Sequence, residues 1–491
     1  MKLYLHVAVL LLFVFSNFNL LAQKKSYVAS IETGLYVGTS THLPFWLKSN
    51  NFGVVPSQTP SLFTVLNSRS NHQIFKKDTA SGLKRKLIDF NYGFEGTIEV
   101  GKNTSFNLIE SYISGRVGGI ILSVGYKKEI FGLVDTLLSS GSVAWSGNAL
   151  PIPKIQLSTN GFITVPLTSN LLSFQATFSH GWLGSLRMNP LTRKEENNRF
   201  NEYDNYVTTY LHQKTFYGCI GKPTWKIKIL GGFNHIAQYG NEYIYMPNNY
   251  SMLTKSEIYK KVVFGESWAQ SKIGNHLGTI DLGMKITLKE FDLFLYRQNY
   301  FETGSLLNAL NRDGLSGVSI RNKKNSVGKD SYLKRLVIEY LYTNDQVDPL
   351  VPTNGSRNDY FNHDLYYDGW AYKGKLIGTP LAVIDRDLKE NIDNKDFKGG
   401  YIANNRIYAL HIGIDGSYKE IDYLFKLTYS DNRGTYFYPF NNSRKQVSTM
   451  LMFKKKILKA VNSEIKVNIG FDAGELYQNN FGLYVGYSRR L

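Results

Sequence analysis

The sequence of 491 residues contains a single cysteine, Cys219, which excludes an internal disulfide as a source of stability. Beyond residue 22 it has no apolar run of about 20 residues, the length that a membrane-spanning helix requires. It also has no phosphate-binding glycine loop and no RNA-binding or helix-turn-helix signature. These absences argue against a disulfide-stapled domain, a helical membrane protein and a nucleic-acid-binding protein.

The N-terminus has the features of a secretory signal peptide. Lys2 precedes an apolar run over residues 3–15, and Leu20 and Leu21 lead to Ala22. This pattern predicts cleavage after Ala22, so that residues 1–22 are the signal peptide and residues 23–491 the mature chain. An uncleaved helical anchor is the alternative. Export without a later helix favours the outer membrane of a Gram-negative bacterium, with a secreted β-sandwich or propeller as the alternative fold.

The rest of the chain repeats a two-residue alternation between large apolar and small or polar side chains. Residues 408–415 show it, and residues 421–430 repeat it with lysine, aspartate and threonine on the polar face. Strands with lipid outside and a polar lumen inside have this period. We therefore predict an all-β fold, a transmembrane antiparallel β-barrel. Further alternating segments lie at about 92–100, 172–179, 225–233, 282–288, 291–298, 336–342, 464–472 and 481–488.

Length and composition set the size of this barrel. One strand with its share of loop takes roughly 25 residues, so the mature chain supports about 16–20 strands. The 34 tyrosines and 29 phenylalanines suit the aromatic girdles of such barrels. A tight hairpin is predicted at 282–298 and a short helix at 60–68. Polar stretches at about 240–268, 303–331, 343–368, 385–405 and 431–446 are predicted to be outer loops.

The formal charge of +18 predicts an acidic partner. An exported barrel has little access to nucleic acid, so lipopolysaccharide phosphates, outer-membrane lipids or an acidic surface polysaccharide are the candidates. A solvated lumen lined with lysine and arginine is the alternative explanation. Basic groups assigned to a predicted outer loop are Arg321, Lys323, Lys324 and Lys329.

Three segments are more specific than the strand pattern. Residues 146–154 contain two prolines before a strand, residues 296–315 gather charged and amide groups, and residues 358–381 include Gly369 to Leu381. Together they resemble the capsule-assembly Wzi family in its Bacteroidetes form. The resemblance implies an eighteen-stranded outer-membrane barrel with a small periplasmic helical element. It also implies a lectin-like role that holds capsular polysaccharide at the cell surface.

Sugar binding requires aromatic faces together with side chains that hold hydroxyl and acid groups. Two explanations compete with it here. Trp370 and Tyr372 could be girdle aromatics, and Arg297, Gln298 and Glu302 could form a lumen network that keeps the pore closed. The candidate polysaccharide-binding residues are Arg297, Gln298, Glu302, Asp313, Asn358, Asp359, Tyr360, Trp370, Tyr372 and Lys373.

No catalytic residue, metal site or cofactor is predicted. The segment 265–269 approaches a nucleophile elbow but lacks its second glycine, and the histidines are too dispersed in sequence for a metal motif. Two functions remain. One is a surface protein that binds capsular or extracellular polysaccharide during assembly, and the other is a porin or substrate-selective channel. The oligomeric state stays open.

Overall fold

A computed structural model describes most of the mature chain. The described residues are 23–56, 58–77, 84–187, 206–240, 253–268, 271–302, 312–323, 331–346, 358–363, 365–389, 402–458 and 462–491. The predicted signal peptide at residues 1–22 lies outside them.

Eighteen antiparallel strands form one sheet that closes on itself. The strands are β1 (Gln23–Gly38), β2 (Ser61–Lys77), β3 (Lys84–Val100), β4 (Thr104–Val117), β5 (Ile120–Tyr126), β6 (Pro153–Thr159), β7 (Leu172–Arg187), β8 (Tyr206–Ile220), β9 (Ile227–Tyr239), β10 (Asn275–Thr287), β11 (Phe291–Phe301), β12 (Gly314–Asn322), β13 (Ser331–Tyr342), β14 (Ile407–Tyr418), β15 (Ile421–Gly434), β16 (Pro439–Leu458), β17 (Ser463–Gly474) and β18 (Asn480–Arg490). A two-residue piece, Ile163–Thr164, continues β6 along β7. The sheet closes where β18 pairs with β1, with Gly486 opposite Gly34. The predicted barrel of about eighteen strands is confirmed.

The alternation in the sequence separates the lumen from the outer wall. On β14, Leu410 is 48% exposed and the next residue, His411, is 1% exposed. On β18, Val485 is exposed and Tyr484 is buried. Val467 of β17 lies opposite Val485, and Asn468 lies opposite Tyr484. The predicted register is therefore confirmed, because successive side chains of a strand point to opposite faces.

The two ends of the barrel differ in the length of their connections. At one end, three residues join β10 to β11 and two residues join β14 to β15. The predicted hairpin at 282–298 is thus confirmed. At the other end the connections include residues 127–152 and 343–406. Because outer-membrane barrels keep short turns in the periplasm and long loops outside, the end where β1 begins and β18 ends is periplasmic.

Several local predictions were wrong. Residues 61–68 belong to β2 and not to a helix, since exposed Leu62 is followed by buried Phe63 with a period of two. The predicted loop 303–331 contains β12, which carries Arg321 and Lys323 to the periplasmic end. Lys324 and Lys329 lie outside the described residues. The predicted loop 431–446 is mostly strand, because β15 and β16 extend into it.

Two α-helices occur among the described residues, and both belong to connections at the long-loop end. Helix α1 (Phe45–Lys48) lies in the lumen, where Trp46 donates to Thr428 of the barrel wall over 3.1 Å. Helix α2 (Lys255–Phe264) begins at a capping box and packs Val262 near Ala237 on the outer wall. The implied periplasmic helical element is not found in the described part of the chain.

None of the helices that the structure describes is long and apolar enough to span a membrane.

Three long connections fold into the lumen and fill it. We call the described parts of connections 39–60, 127–152 and 343–406 the plug. Its centre contains the fully buried side chains of Trp46, Val143, Tyr360 and Trp370. Two of the connections meet backbone to backbone, and a Cβ at Gly378 would collide with the carbonyl oxygen of Val143. The centre of the plug is therefore packed like a protein core.

Candidate functional site

Polar groups of the lumen wall hold the plug in place. The Glu339 carboxylate on β13 accepts hydrogen bonds from the Ser139 hydroxyl (2.7 Å) and from both the backbone N–H and the hydroxyl of Ser140 (2.6 Å each). The Tyr296 hydroxyl donates to the same carboxylate over 2.7 Å. Glu339 is buried and satisfied, so it is an attachment point for residues 139–140 of the plug.

A second attachment point joins β10 and β11 to the plug. The Gln298 side-chain oxygen accepts from the backbone N–H of Val143 over 3.1 Å, and its amide donates to Asp281 over 3.1 Å. Asp281 accepts in turn from the backbone N–H of Leu133 over 2.8 Å. Gln298, one of the predicted site residues, therefore fastens the plug rather than facing a ligand.

A third attachment lies deeper, toward the periplasmic end. Asp135 of the plug accepts from Arg335 over 2.9 Å and from Ser319 over 2.8 Å. Burial alone would raise the pKa of the Asp135 carboxyl, but the backbone N–H of Leu138 and the Arg335 guanidinium outweigh it and hold the pKa below its usual range. His411 of β14 contacts the Leu138 carbonyl oxygen over 2.7 Å.

Three more predicted site residues join the plug to the outer end of the wall. The Glu302 carboxylate accepts from the backbone N–H of Phe361 over 2.8 Å and from the Tyr300 hydroxyl over 3.0 Å. Burial raises the pKa of Glu302 to about 8. Asp313, whose pKa burial also raises, accepts from the Tyr360 hydroxyl over 2.8 Å. Asp313 is fully buried, and both carboxyl groups are engaged by the plug.

The remaining predicted residues lie in the plug, on the outer wall of the barrel or at the surface of its outer end. Trp370 is 0% exposed and donates to the Ala144 carbonyl oxygen over 2.9 Å, and Tyr372 is also buried in the plug. The girdle explanation for both is wrong, because girdle side chains lie on the outer wall. Arg297 lies on the outer wall, where it donates to Ser316 over 3.0 Å. It is therefore not part of a lumen network.

Asn358 and Asp359 are half-buried. The backbone N–H of Asn358 donates to the Gln346 carbonyl oxygen over 2.9 Å, and Asp359 accepts from Asn405 over 2.6 Å. Lys373 is exposed at the tip of a small hairpin between Ala371–Tyr372 and Lys375–Leu376. Both turn residues, Lys373 and Gly374, have positive φ angles of 48° and 76°, as a type I′ turn requires. Of the ten predicted residues, Lys373 alone is exposed.

A cleft of about 350 Å³ opens at the long-loop end, beside this hairpin. We call it the mouth cleft. Its charged and aromatic lining consists of His42, Phe45, Lys48, Lys375, Arg386, Asp387 and Tyr477. Lys48 lies 3.2 Å from Asp387, and its ammonium group is 5.9 Å from the centre of the Tyr477 ring. The cleft thus combines three cations and one carboxylate with the rings of His42, Phe45 and Tyr477.

Lys375 is the distinctive group of the mouth cleft. No hydrogen bond or ion pair joins its ammonium group to another residue that the structure describes. Burial and the positive charge of Lys48 lower the pKa of Lys375 to about 8, with a smaller contribution from Arg386 and an opposing one from Asp387. A half-buried, unpaired lysine between two other cations favours an anionic ligand.

No pattern in the sequence indicated the mouth cleft. Its residues come from the connections β1–β2, β5–β6, β13–β14 and β17–β18, which are distant along the chain. The link between them is tertiary. Phe45 of α1 donates its backbone N–H to Asp472 near the end of β17, and its ring stacks on Tyr477 at 5.7 Å. Only folding of α1 into the lumen brings Lys48 to this place.

The family model described as capsule assembly protein Wzi matches residues 57–390, more than half of the chain. No curated protein sequence matches the chain.

Solved structures also resemble the barrel. Wzi of Escherichia coli, described as an outer membrane protein involved in group 1 capsule assembly and as a carbohydrate-binding β-barrel, is 15% identical with a TM-score of 0.55. The match covers 94% of this chain and 83% of that chain. OccK5 of Pseudomonas aeruginosa is 10% identical with a TM-score of 0.44, covering 95% and 98%. OccAB4 of Acinetobacter baumannii is 9% identical with a TM-score of 0.45, covering 97% and 100%.

Proposed function

Since this outer-membrane β-barrel belongs to the capsule assembly protein Wzi family, we propose that it binds capsular or extracellular polysaccharide and holds it at the cell surface during capsule assembly. The E. coli structure of the same fold is described as carbohydrate-binding. The observation that carries the proposal is the mouth cleft, which is open at the outer end and rich in unneutralised positive charge. The proposed role is binding and not catalysis.

The filled lumen argues against the alternative of a porin or substrate-selective channel. A diffusion channel of this size keeps a polar, water-filled lumen. Here Trp46, Val143 and Trp370 pack together in the lumen, and Glu339 and Gln298 attach them to the wall. A polymer held by this protein therefore contacts the outer end of the barrel rather than a continuous pore.

The charge of the mouth cleft favours an acidic polysaccharide. Three cations face one carboxylate, and Asp387 is already paired with Lys48. Lys375 and Arg386 remain for the carboxylate, sulfate or phosphate groups of a polymer. The Tyr477 ring offers an apolar face for the C–H groups of a sugar. Lys373, exposed on the adjoining hairpin, extends this basic surface.

A deletion strain tests the proposed role. We expect cells without the protein to make and export the polymer but to release it into the medium, because retention and not synthesis is lost. The ratio of cell-bound to released polysaccharide measures this. An unchanged ratio, together with lost uptake of a small solute, would reject surface attachment and favour the channel.

Point variants test the mouth cleft. Lys375→Gln combined with Arg386→Gln should release most of the polymer, whereas Lys102→Gln should not. Lys102 is a suitable control because it is exposed in a turn at the same end of the barrel but lies outside the cleft. Equal retention by both variants, at equal protein levels in the outer membrane, would place polymer binding elsewhere.

We also propose that residues 1–22 are removed on export, on the basis of the apolar run and the small residue at Ala22. The intact mass of protein purified from outer membranes should then match a chain that starts at Gln23. A mass that includes residues 1–22 would indicate an uncleaved anchor.

A further inference from the structure

A second cavity lies at the periplasmic end of the barrel, and the plug separates it from the mouth cleft. It has a volume of about 680 Å³, and we call it the vestibule. Its walls are β1, β2, β3, β16, β17 and β18, and residues 50–55 of the plug close its inner end. It opens beside Arg489 and Arg490, the last residues of β18. A ligand therefore reaches it from the periplasm.

The vestibule carries excess positive charge. Each of its three carboxylates has a lysine of its own. The pairs are Glu32 with Lys466, Glu95 with Lys128, and Glu464 with Lys454. Two further cations on lumen-facing positions also line the cavity, namely Lys456 and Arg490, and no ion pair joins their side chains to another described residue. An anionic group entering the vestibule would meet two unneutralised charges.

Unsatisfied acceptors lie deeper in the same cavity. The side-chain oxygens of Asn50 and Asn468 are buried and have no hydrogen-bond partner among the described residues. Buried acceptors without a partner are rare in folded proteins and require an explanation. Tyr36 and Tyr484, whose rings lie 4.3 Å apart, form an apolar part of the wall. Hydroxyl donors placed against this wall would satisfy both oxygens.

We propose that the vestibule is a second binding site, which takes an anionic oligosaccharide from the periplasm. A saccharide acid supplies the hydroxyl donors that Asn50 and Asn468 lack and the negative charge that Lys456 and Arg490 attract. The acyl chains of a lipid would leave the amide oxygens unsatisfied, and a simple inorganic anion would fill little of 680 Å³. Because the plug closes the lumen between the two cavities, this site acts independently of the mouth cleft.

Two periplasmic sources share this chemistry, namely the polymer during export and fragments of peptidoglycan. Trigalacturonate is a defined probe for the shared chemistry, and maltotriose is its neutral counterpart. We expect calorimetry on the purified full-length protein to give two sites for trigalacturonate. Maltotriose should bind at least roughly tenfold more weakly, because it lacks the charge.

Variants assign the vestibule to one of the two sites. Lys456→Gln combined with Arg490→Gln should remove one site, and Asn468→Ala should weaken that site alone. Lys455→Gln should leave both sites intact, since Lys455 is exposed on the opposite face of β16. Folding is checked for each variant by the heat-dependent shift of the barrel in gel electrophoresis.

The outcomes separate this proposal from the function proposed above. If Lys375→Gln combined with Arg386→Gln removes all binding, or the vestibule variants change nothing, the vestibule is not a saccharide site. If the vestibule variants remove the only site, the vestibule proposal stands and the mouth cleft fails. Competition by purified muropeptides would identify peptidoglycan as the source, and competition by fragments of the cell's own polysaccharide would identify the polymer. Absence of trigalacturonate binding would overturn the proposal.

Discussion

Replacing Glu339 by alanine should loosen the plug and create transient channels. Glu339 holds one short piece of the plug, since Ser139 and Ser140 donate three hydrogen bonds to its carboxylate. The alanine variant removes all three bonds at once. It also leaves the backbone N–H of Ser140 and the Tyr296 hydroxyl buried without an acceptor.

The magnitude follows from the number of bonds. A hydrogen bond to a charged group contributes about 1.5 kcal/mol or more, so three bonds amount to about 4–5 kcal/mol of plug docking. The alanine variant no longer buries a carboxylate, and this gain offsets part of the loss. The net cost is about 3–4 kcal/mol of plug docking. At about 1.4 kcal/mol for each factor of ten, the undocked population rises by roughly two to three orders of magnitude.

Conductance in planar bilayers is the suitable assay. We expect the wild type to be silent and Glu339→Ala to show brief openings. Openings should not be permanent, because Asp281, Gln298 and the Asp135–Arg335 pair still hold the plug. Adding Asp281→Ala to Glu339→Ala should lengthen them.

Glu464→Ala is the matched control. Glu464 is also a glutamate with a lumen-side contact, but its partner Lys454 belongs to the barrel wall and not to the plug. This variant should stay silent. Silence of Glu339→Ala at an unchanged unfolding temperature would refute the argument that these bonds keep the lumen closed. A steady open channel in the wild type would refute it more directly.

Three further predictions follow from other parts of the molecule. The affinity of the mouth cleft for an acidic oligosaccharide should fall as the pH rises through about 8, because Lys375 then loses its proton, and Lys375→Arg should remove this dependence. A flat profile in the wild type would exclude Lys375 from binding. Val467→Arg should make the free energy of folding into bilayers less favourable by roughly 2–4 kcal/mol, and Asn468→Arg should change it much less. Equal costs for the two variants would contradict the register. Trp370→Ala should cost about 3–5 kcal/mol of plug stability, which a lower unfolding temperature would show. Loss of polymer retention at a normal unfolding temperature would instead indicate that Trp370 contacts sugar.

Much of the barrel could be predicted from local sequence. A strand between lipid and a polar lumen needs opposite chemistry on successive residues, so the alternation around His411 and around Val467 is sufficient to assign both faces. Strand number follows from the length of the chain, and the short hairpin at 282–298 follows from two adjacent alternating runs. The prolines at 151 and 153 likewise mark the start of β6 at Pro153.

The alternation was a poor guide to where strands begin and end. Leu62 and Phe63 look alike in a short apolar stretch, and only their pairing with β1 and β3 shows that one faces out and the other in. Arg321 was assigned to an outer loop because its neighbours are polar. Its actual place at the periplasmic end depends on β12, whose nine residues cross the wall between two polar segments.

The candidate site depended on long-range packing. The sequence does not distinguish a polar side chain that binds sugar from one that holds a plug, because both tasks need hydrogen-bond acceptors. Glu302 and Asp313 are examples. The mouth cleft needs Lys48, Lys375 and Tyr477 from three separate connections, and no spacing in the sequence relates them. Sequence alone therefore determined the barrel and its two faces, since these depend on the period of a single strand. The tertiary structure decided that the lumen is filled and where charge remains exposed, because both depend on which loops meet inside.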